Sequence, residues 1–280
     1  MYHILKAEIG KLFRSRTFLI CSIIAALMSV ILLASYKMMS EVYTPEFIEN
    51  LNQQTATQSG VSFQASEELD LSFFQNLSGI SMLEMSFAGD VIQTLLAVLV
   101  SIFVCTEFSG GAIKNIASRG FSRTKIYTAK YIVCVIGGII LSIVVLLTTF
   151  LGGTLLWGVG ETGGDFIGNL LTFLGVQFFL IAALTGLMVF VSMVVRNTGG
   201  SIAINVCVIM FASMIFQLFD LLIDSETFRV ADYWIGNIVA QITSLSIPSE
   251  LLERGIIVGV VTLLVTYIAG AAQFKLGDIK

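Results

Sequence analysis

The chain has 280 residues, 56% of them hydrophobic and 12% charged, with a formal net charge of −4 and a mean hydropathy of +0.92. A water-facing domain carries about 25% charged residues, so half that share excludes a surface that meets only water. One histidine, His3, argues against a histidine-built metal site, and the four cysteines (Cys21, Cys105, Cys134, Cys207) fall in apolar runs with no C-x-x-C pair, as packing residues do.

In chain order, residues 2–16 read as an amphipathic helix. Leu5, Ile9, Leu12 and Phe13 share one face, and Lys6, Glu8, Lys11 and Arg14 lie on others. Such a helix lies in the membrane interface, with its basic residues toward anionic headgroups. Six runs then meet the ~20 apolar residues a spanning helix needs: Thr17–Tyr36, Ser86–Thr106, Tyr131–Gly160, Phe166–Val195, Asn197–Phe219 and Gly255–Phe274. The first is long enough to span and lacks a small-residue cleavage site shortly after it, so it is expected to be retained. The predicted fold is therefore an all-α polytopic membrane protein, one transmembrane domain over residues 1–280, with both termini on one side.

Charge selects that side. With both termini inside, 12 of the 15 basic residues are inside; only Lys37, Arg229 and Arg254 are outside. Basic residues beside spans mark the cytoplasmic face, so both termini are expected there. The acids are skewed the other way, with only Glu8, Glu107 and Asp278 inside.

Between the spans, residues 37–80 form an acidic outer loop. Its centre is rich in Gln, Thr and Ser, and Leu69–Leu83 turns apolar again at helical spacing. Residues 107–130, EFSGGAIKNIASRGFSRTKIYTAK, form a basic inner segment with five cations and a single acid, Glu107. Residues 220–254 have charged ends and an apolar centre, Tyr233–Ile247, too short to span. They read as an outer hairpin, either dipping into the membrane or lying flat on it, with Gly236 and Pro248 as expected breaks.

No G-x-x-x-x-G-K-[ST] loop occurs, so ATP is not bound by that route. Neither H-E-x-x-H nor the G-x-G-D spacing of intramembrane aspartyl proteases is present. Ionisable residues near spans default to functional candidates. Glu84 and Asp90, at the outer margin of the second span, are accordingly candidates for a substrate path. Gln93, Asn205 and Gln217 join them as uncharged polar residues within spans; with Gln177 they are also suited to interhelical hydrogen bonds.

The layout, with Glu107–Asn115 (EFSGGAIKN), then Ser118–Arg123 (SRGFSR), Tyr127 and Lys130, resembles the permease subunits of ABC-2-type exporters. Within them it is most similar to the six-span permeases linked to bacitracin and lantibiotic resistance. The resemblance covers the whole chain in topology and about 25 residues in motif. It implies a transport subunit that is not an enzyme and carries no cofactor, working with two copies of a separate ATP-binding subunit that holds ATP and Mg. It also implies a second permease chain, identical or not, in a bacterial plasma membrane, with lipid but no nucleic acid as a further partner. Residues 107–130 would be the coupling segment that docks on the ATPase, through Glu107, Lys114, Arg119, Ser122, Arg123 and Lys125. The weakly polar spans favour a hydrophobic or amphipathic substrate, such as an antimicrobial peptide or a lipid. Two alternatives remain open: a secondary transporter built on an inverted repeat, for which the halves show no similarity, and a membrane sensor that binds cationic peptides at its acidic outer loops.

Overall fold

The computed structural model describes residues 2–42, 77–88, 90–109, 122–160, 165–223 and 229–276. Among them the regular structure is helical throughout: α1 (Tyr2–Arg14), α2 (Arg16–Val42), α3 (Gly79–Glu84), α4 (Val91–Ser109), α5 (Arg123–Trp157), α6 (Phe166–Val195), α7 (Thr198–Ile223), α8 (Ile235–Gln241) and α9 (Ser249–Leu276). Short 3-10 turns occupy Met85–Phe87 and Val230–Tyr233. Six of these helices, α2, α4, α5, α6, α7 and α9, are long and apolar enough to cross a membrane.

The helices outrun the apolar runs that predicted them. Helix α5 begins at Arg123 rather than Tyr131, because each added residue gains a backbone hydrogen bond whether or not lipid surrounds it. Its 35 residues extend ~52 Å, well beyond a hydrocarbon core of ~30 Å. It ends at Gly158, whose φ of +87° lies where a side chain would be strained.

Helices α4, α5 and α6 supply most of the core, with Leu96, Val100, Leu141, Leu180, Leu184 and Val189 fully enclosed. Helix α9 lies along α6, α7 lies along α4, and α2 lies along α5. The most hydrophobic stretch of α7 is only 11% buried. Its exposed Met210, Phe211, Met214, Ile215, Leu218 and Phe219 therefore face lipid or another chain. Cys207 is exposed there too, unlike the buried Cys21, Cys105 and Cys134.

An even number of spans puts α1 and the end of α9 at one end of the bundle, the terminal end. At the opposite, far end the described part of the apolar stretch before the second span begins at residue 77. It forms α3, started by a capping box between Ser78 and Ser81, and packs against α5. The contact is close because both sides are glycines: a Cβ on Gly153 would come within 2.8 Å of Met82 and 3.2 Å of the Gly79 Cα. Backbone bonds from Gly79 to Gly158 (2.8 Å) and from Ile80 to Val159 (3.2 Å) close this corner.

The segment expected as an outer hairpin is described from residue 229 onward and packs against α6, α7 and α9. Gly236 lies inside α8 instead of breaking it, whereas Pro248 directly precedes α9. The acidic outer loop from 43 to 76 lies outside the described residues, as does the middle of the basic segment, 110–121.

Candidate functional site

The site lies at the terminal end, where the chain leaves α4 and re-enters at α5. Helix α1 turns Ile4, Glu8 and Leu12 inward, one per turn, and all three are buried. A glutamate on that face needs a partner, because taking an ion out of water costs several kcal/mol. Four side chains supply the compensation in a closed, alternating ring. Lys11 Nζ donates to Glu8 at 3.0 Å and to Glu107 at 3.2 Å. Lys130 Nζ donates to Glu107 and, at 3.5 Å, to Glu8.

Lys130 is 1% exposed and Glu8 2%, whereas Lys11 is 45% exposed. The ring therefore has a buried side and a wet corner. Burial alone would lower the Lys11 ammonium, but the carboxylates of Glu107 and Glu8 outweigh it and hold it above its ordinary value. The Lys130 ammonium also sits over the Phe103 ring, 5.5 Å from its centroid.

The residues predicted for ATPase docking part company. Glu107 is taken up by the ring. Ser122 is exposed just ahead of α5 and makes no capping bond through its side chain. The Arg123 guanidinium donates to the Lys275 carbonyl at 3.2 Å, satisfying one of the orphan carbonyls of the last turn of α9. Lys125 is exposed. Lys114 and Arg119 lie outside the described residues.

The residues predicted for a substrate path do not converge. Glu84 and Gln93 meet at the far end, where each holds the 230–247 segment. Glu84 accepts the Leu245 backbone N–H at 2.7 Å, and Gln93 donates to the Gly236 carbonyl at 3.2 Å. Gly236 has to be glycine for this, since a Cβ there would come within 2.5 Å of Trp234 and 3.0 Å of the Gln93 amide oxygen. Gln177 adds a third clasp, donating to the Val239 and Ile242 carbonyls at 3.1 Å each. Asp220 accepts from the Val230 and Ala231 N–H groups, and Arg254 pairs with Asp232 at 3.1 Å.

Asn205 sits two turns into α7, buried, and joins three helices by donating to Ser101 at 2.8 Å and Ser192 at 3.1 Å. Gln217, farther along α7, is exposed and donates within its helix to Ser213. Asp90 is exposed immediately ahead of α4. Near it, an apolar groove of about 370 Å³ opens sideways between α2 and the head of α4, lined by Met28, Ile31, Leu32, Met39 and Val91.

Sequence reasoning assigned Glu8, Lys11 and Lys130 to helix faces and charge counts, not to a site. The signal was nonetheless present. Apart from Asp278, Glu8 and Glu107 are the only acids at an end otherwise all basic, and lone acids among cations are where ion pairs form. No curated relative matches the chain. The model of ABC-2 family transporter proteins matches residues 4–213, from α1 into the middle of α7. With six apolar helices and that match over more than half its length, the chain belongs to the ABC-2 transporter family, as a membrane-spanning permease subunit.

Proposed function

We propose that this permease is the transmembrane half of an exporter driven by ATP hydrolysed in a separate subunit, with residues 107–130 as its coupling segment. The observation that carries the reading is the anchoring of that segment. Its two ends, Glu107 and Lys130, are joined to each other and to α1, so a push on the residues between them moves α4, α5 and α1 together. Of the proposed docking residues, Ser122 and Lys125 present exposed side chains at the start of α5. Two ATP-binding subunits would serve a pair of permease chains, and the apolar face of α7 supports a second chain beside it. In this reading the termini and the coupling segment are cytoplasmic, in a bacterial plasma membrane, as the skew of 12 of 15 basic residues supports. The substrate class is a hydrophobic or amphipathic molecule, a membrane-active peptide or a lipid, since the spans are weakly polar. Driving an access equilibrium from 1:99 to 99:1 requires about 5.5 kcal/mol of differential binding, which only the ATP-binding partner would supply.

The test is co-purification. The tagged chain, expressed with its genomic neighbours, is expected to retain a subunit that hydrolyses ATP. Reversing charge at Arg119 and Lys125 to Glu is expected to abolish retention while the permease still elutes as a folded species. Retention and ATPase activity unchanged by the reversal would refute docking through this segment.

A further inference from the structure

We infer that helix α1 is a positioning arm of the coupling segment, locked to it by the charge ring, with Glu8 and Lys130 as the positioning residues. The claim about energy transfer rests on the function proposed above; the claim that the ring locks α1 does not.

The argument begins with what α1 does not need. An amphipathic helix docks through apolar side chains, and Ile4 and Leu12 already supply them, with Leu12 packed where α5 has only Gly137. A leucine at position 8 would fill the same face with no ion to desolvate. Replacing buried ion pairs by apolar residues is often neutral or stabilising, so adhesion alone does not explain Glu8. Ion pairs differ from apolar contacts in fixing geometry, because a sliding apolar face keeps its contacts whereas a displaced buried charge loses its partner.

The ring fixes three elements at once. Glu107 closes α4, Lys130 lies two turns into α5, and Glu8 and Lys11 belong to α1. Every neighbour around the ring has opposite charge, and a shift of α1 breaks the Lys11–Glu107 and Lys130–Glu8 pairs together, so that each of the four ions loses one of its two partners. The basic segment runs between two of these members. Helix α1 is in turn tied to the first span through Ser15, whose hydroxyl donates to the Leu12 carbonyl and accepts the Phe18 N–H. Motion of the coupling segment is thereby passed to α2 through α1 as well as to α4 and α5 directly.

The experiment measures the distance between α1 and α5 in the full chain in lipid nanodiscs. Nitroxide labels go on Gly10→Cys and Thr124→Cys in a background with the native cysteines replaced. Position 10 has open space around a Cβ, and Thr124 is exposed. The wild-type ring is expected to give one narrow distance. E8Q and K130M are expected to lose it to a broad distribution, and K130R, which keeps the charge, to restore it. The double variant E8L/K130M separates positioning from stability: it is expected to keep the wild-type melting temperature yet still lose the narrow distance. A narrow distance in E8L/K130M, or in both E8Q and K130M, overturns the lock. In the complex with the ATP-hydrolysing subunit, the distance is expected to be the same with and without trapped ATP, because the arm moves as one body with the segment. A shift on trapping overturns the positioning role. Failure to capture an ATPase sinks the proposed function but leaves the distance result in the isolated chain to decide the lock.

Discussion

Replacing Gln177 by leucine tests whether the far-end segment is held by polar clasps or by apolar packing. Gln177 is fully buried, and its amide donates at 3.1 Å to the carbonyls of Val239 and Ile242. Both carbonyls belong to the end of α8, a helix of 7 residues whose last turn has no intrahelical donors left. Leucine conserves much of the volume and removes the donors, together with the amide oxygen, which is buried without a hydrogen-bond partner among the described residues and whose loss offsets part of the cost. Two hydrogen bonds within a membrane protein are worth ~0.6 kcal/mol each on average. Two carbonyls left buried without a donor cost up to ~1–3 kcal/mol apiece. The expected loss is about 1–6 kcal/mol, local to residues 235–247. Converted at 1.4 kcal/mol per tenfold, hydrogen exchange of the α8 amides should accelerate by roughly fivefold to about ten-thousandfold. The amides of α5 and α6 should be unaffected. Exchange in α8 unchanged within about twofold of wild type would show that apolar burial of Ile235, Ile238 and Val239 suffices and that the clasp reasoning is wrong.

Glu84 gives a pH dependence. Burial raises its carboxyl above the ordinary range, with the Leu245 N–H opposing. A raised folded-state value means that the stability this group contributes is complete below its unfolded value and is lost as pH rises through the folded one. Glu84→Gln keeps an acceptor for Leu245 and does not titrate, so melting temperatures should move in favour of E84Q as pH rises above about 4.3, the ordinary value of the unfolded carboxyl; an opposite trend would disprove the assignment. Gly153→Leu should push Met82 and Gly79 away, detach α3 from α5 and cost about 1–3 kcal/mol, read as earlier protease cleavage near residue 80. Asn205→Leu should weaken the junction of α4, α6 and α7 by about 0.6–1.7 kcal/mol, visible as a lower denaturation midpoint with no change at α8.

Much of this protein is legible without coordinates because the bilayer imposes one solution on an apolar chain. Every backbone group in lipid must be satisfied internally, so runs such as Phe166–Val195 have no option but helix, and α6 occupies those same residues. An even span count then puts both termini at one end. The basic residues nominate that end as the inner one, because the rule they obey acts on the unfolded segment at insertion and needs no tertiary contact. The resemblance to ABC-2 permeases likewise sits in contiguous residues, and at that level the match over 4–213 upholds it.

Position along the chain does not say which partner a polar side chain will choose. Gln93, Gln177 and Glu84 read as interhelical or path residues, and all three hold the 230–247 segment, α8 included, with separations from 62 to 161 residues. Arg123 read as a docking residue, and its bond to the carbonyl of Lys275 was not foreseen. Length, helicity and span count follow from local hydrophobicity, which each segment carries by itself. The ring of Glu8, Lys11, Glu107 and Lys130 depends on three helices meeting at one point, and only the packing of α1 against α4 and α5 decides that two acids and two lysines neutralise one another there, with Glu8 and Lys130 out of water and Lys11 at its wet corner.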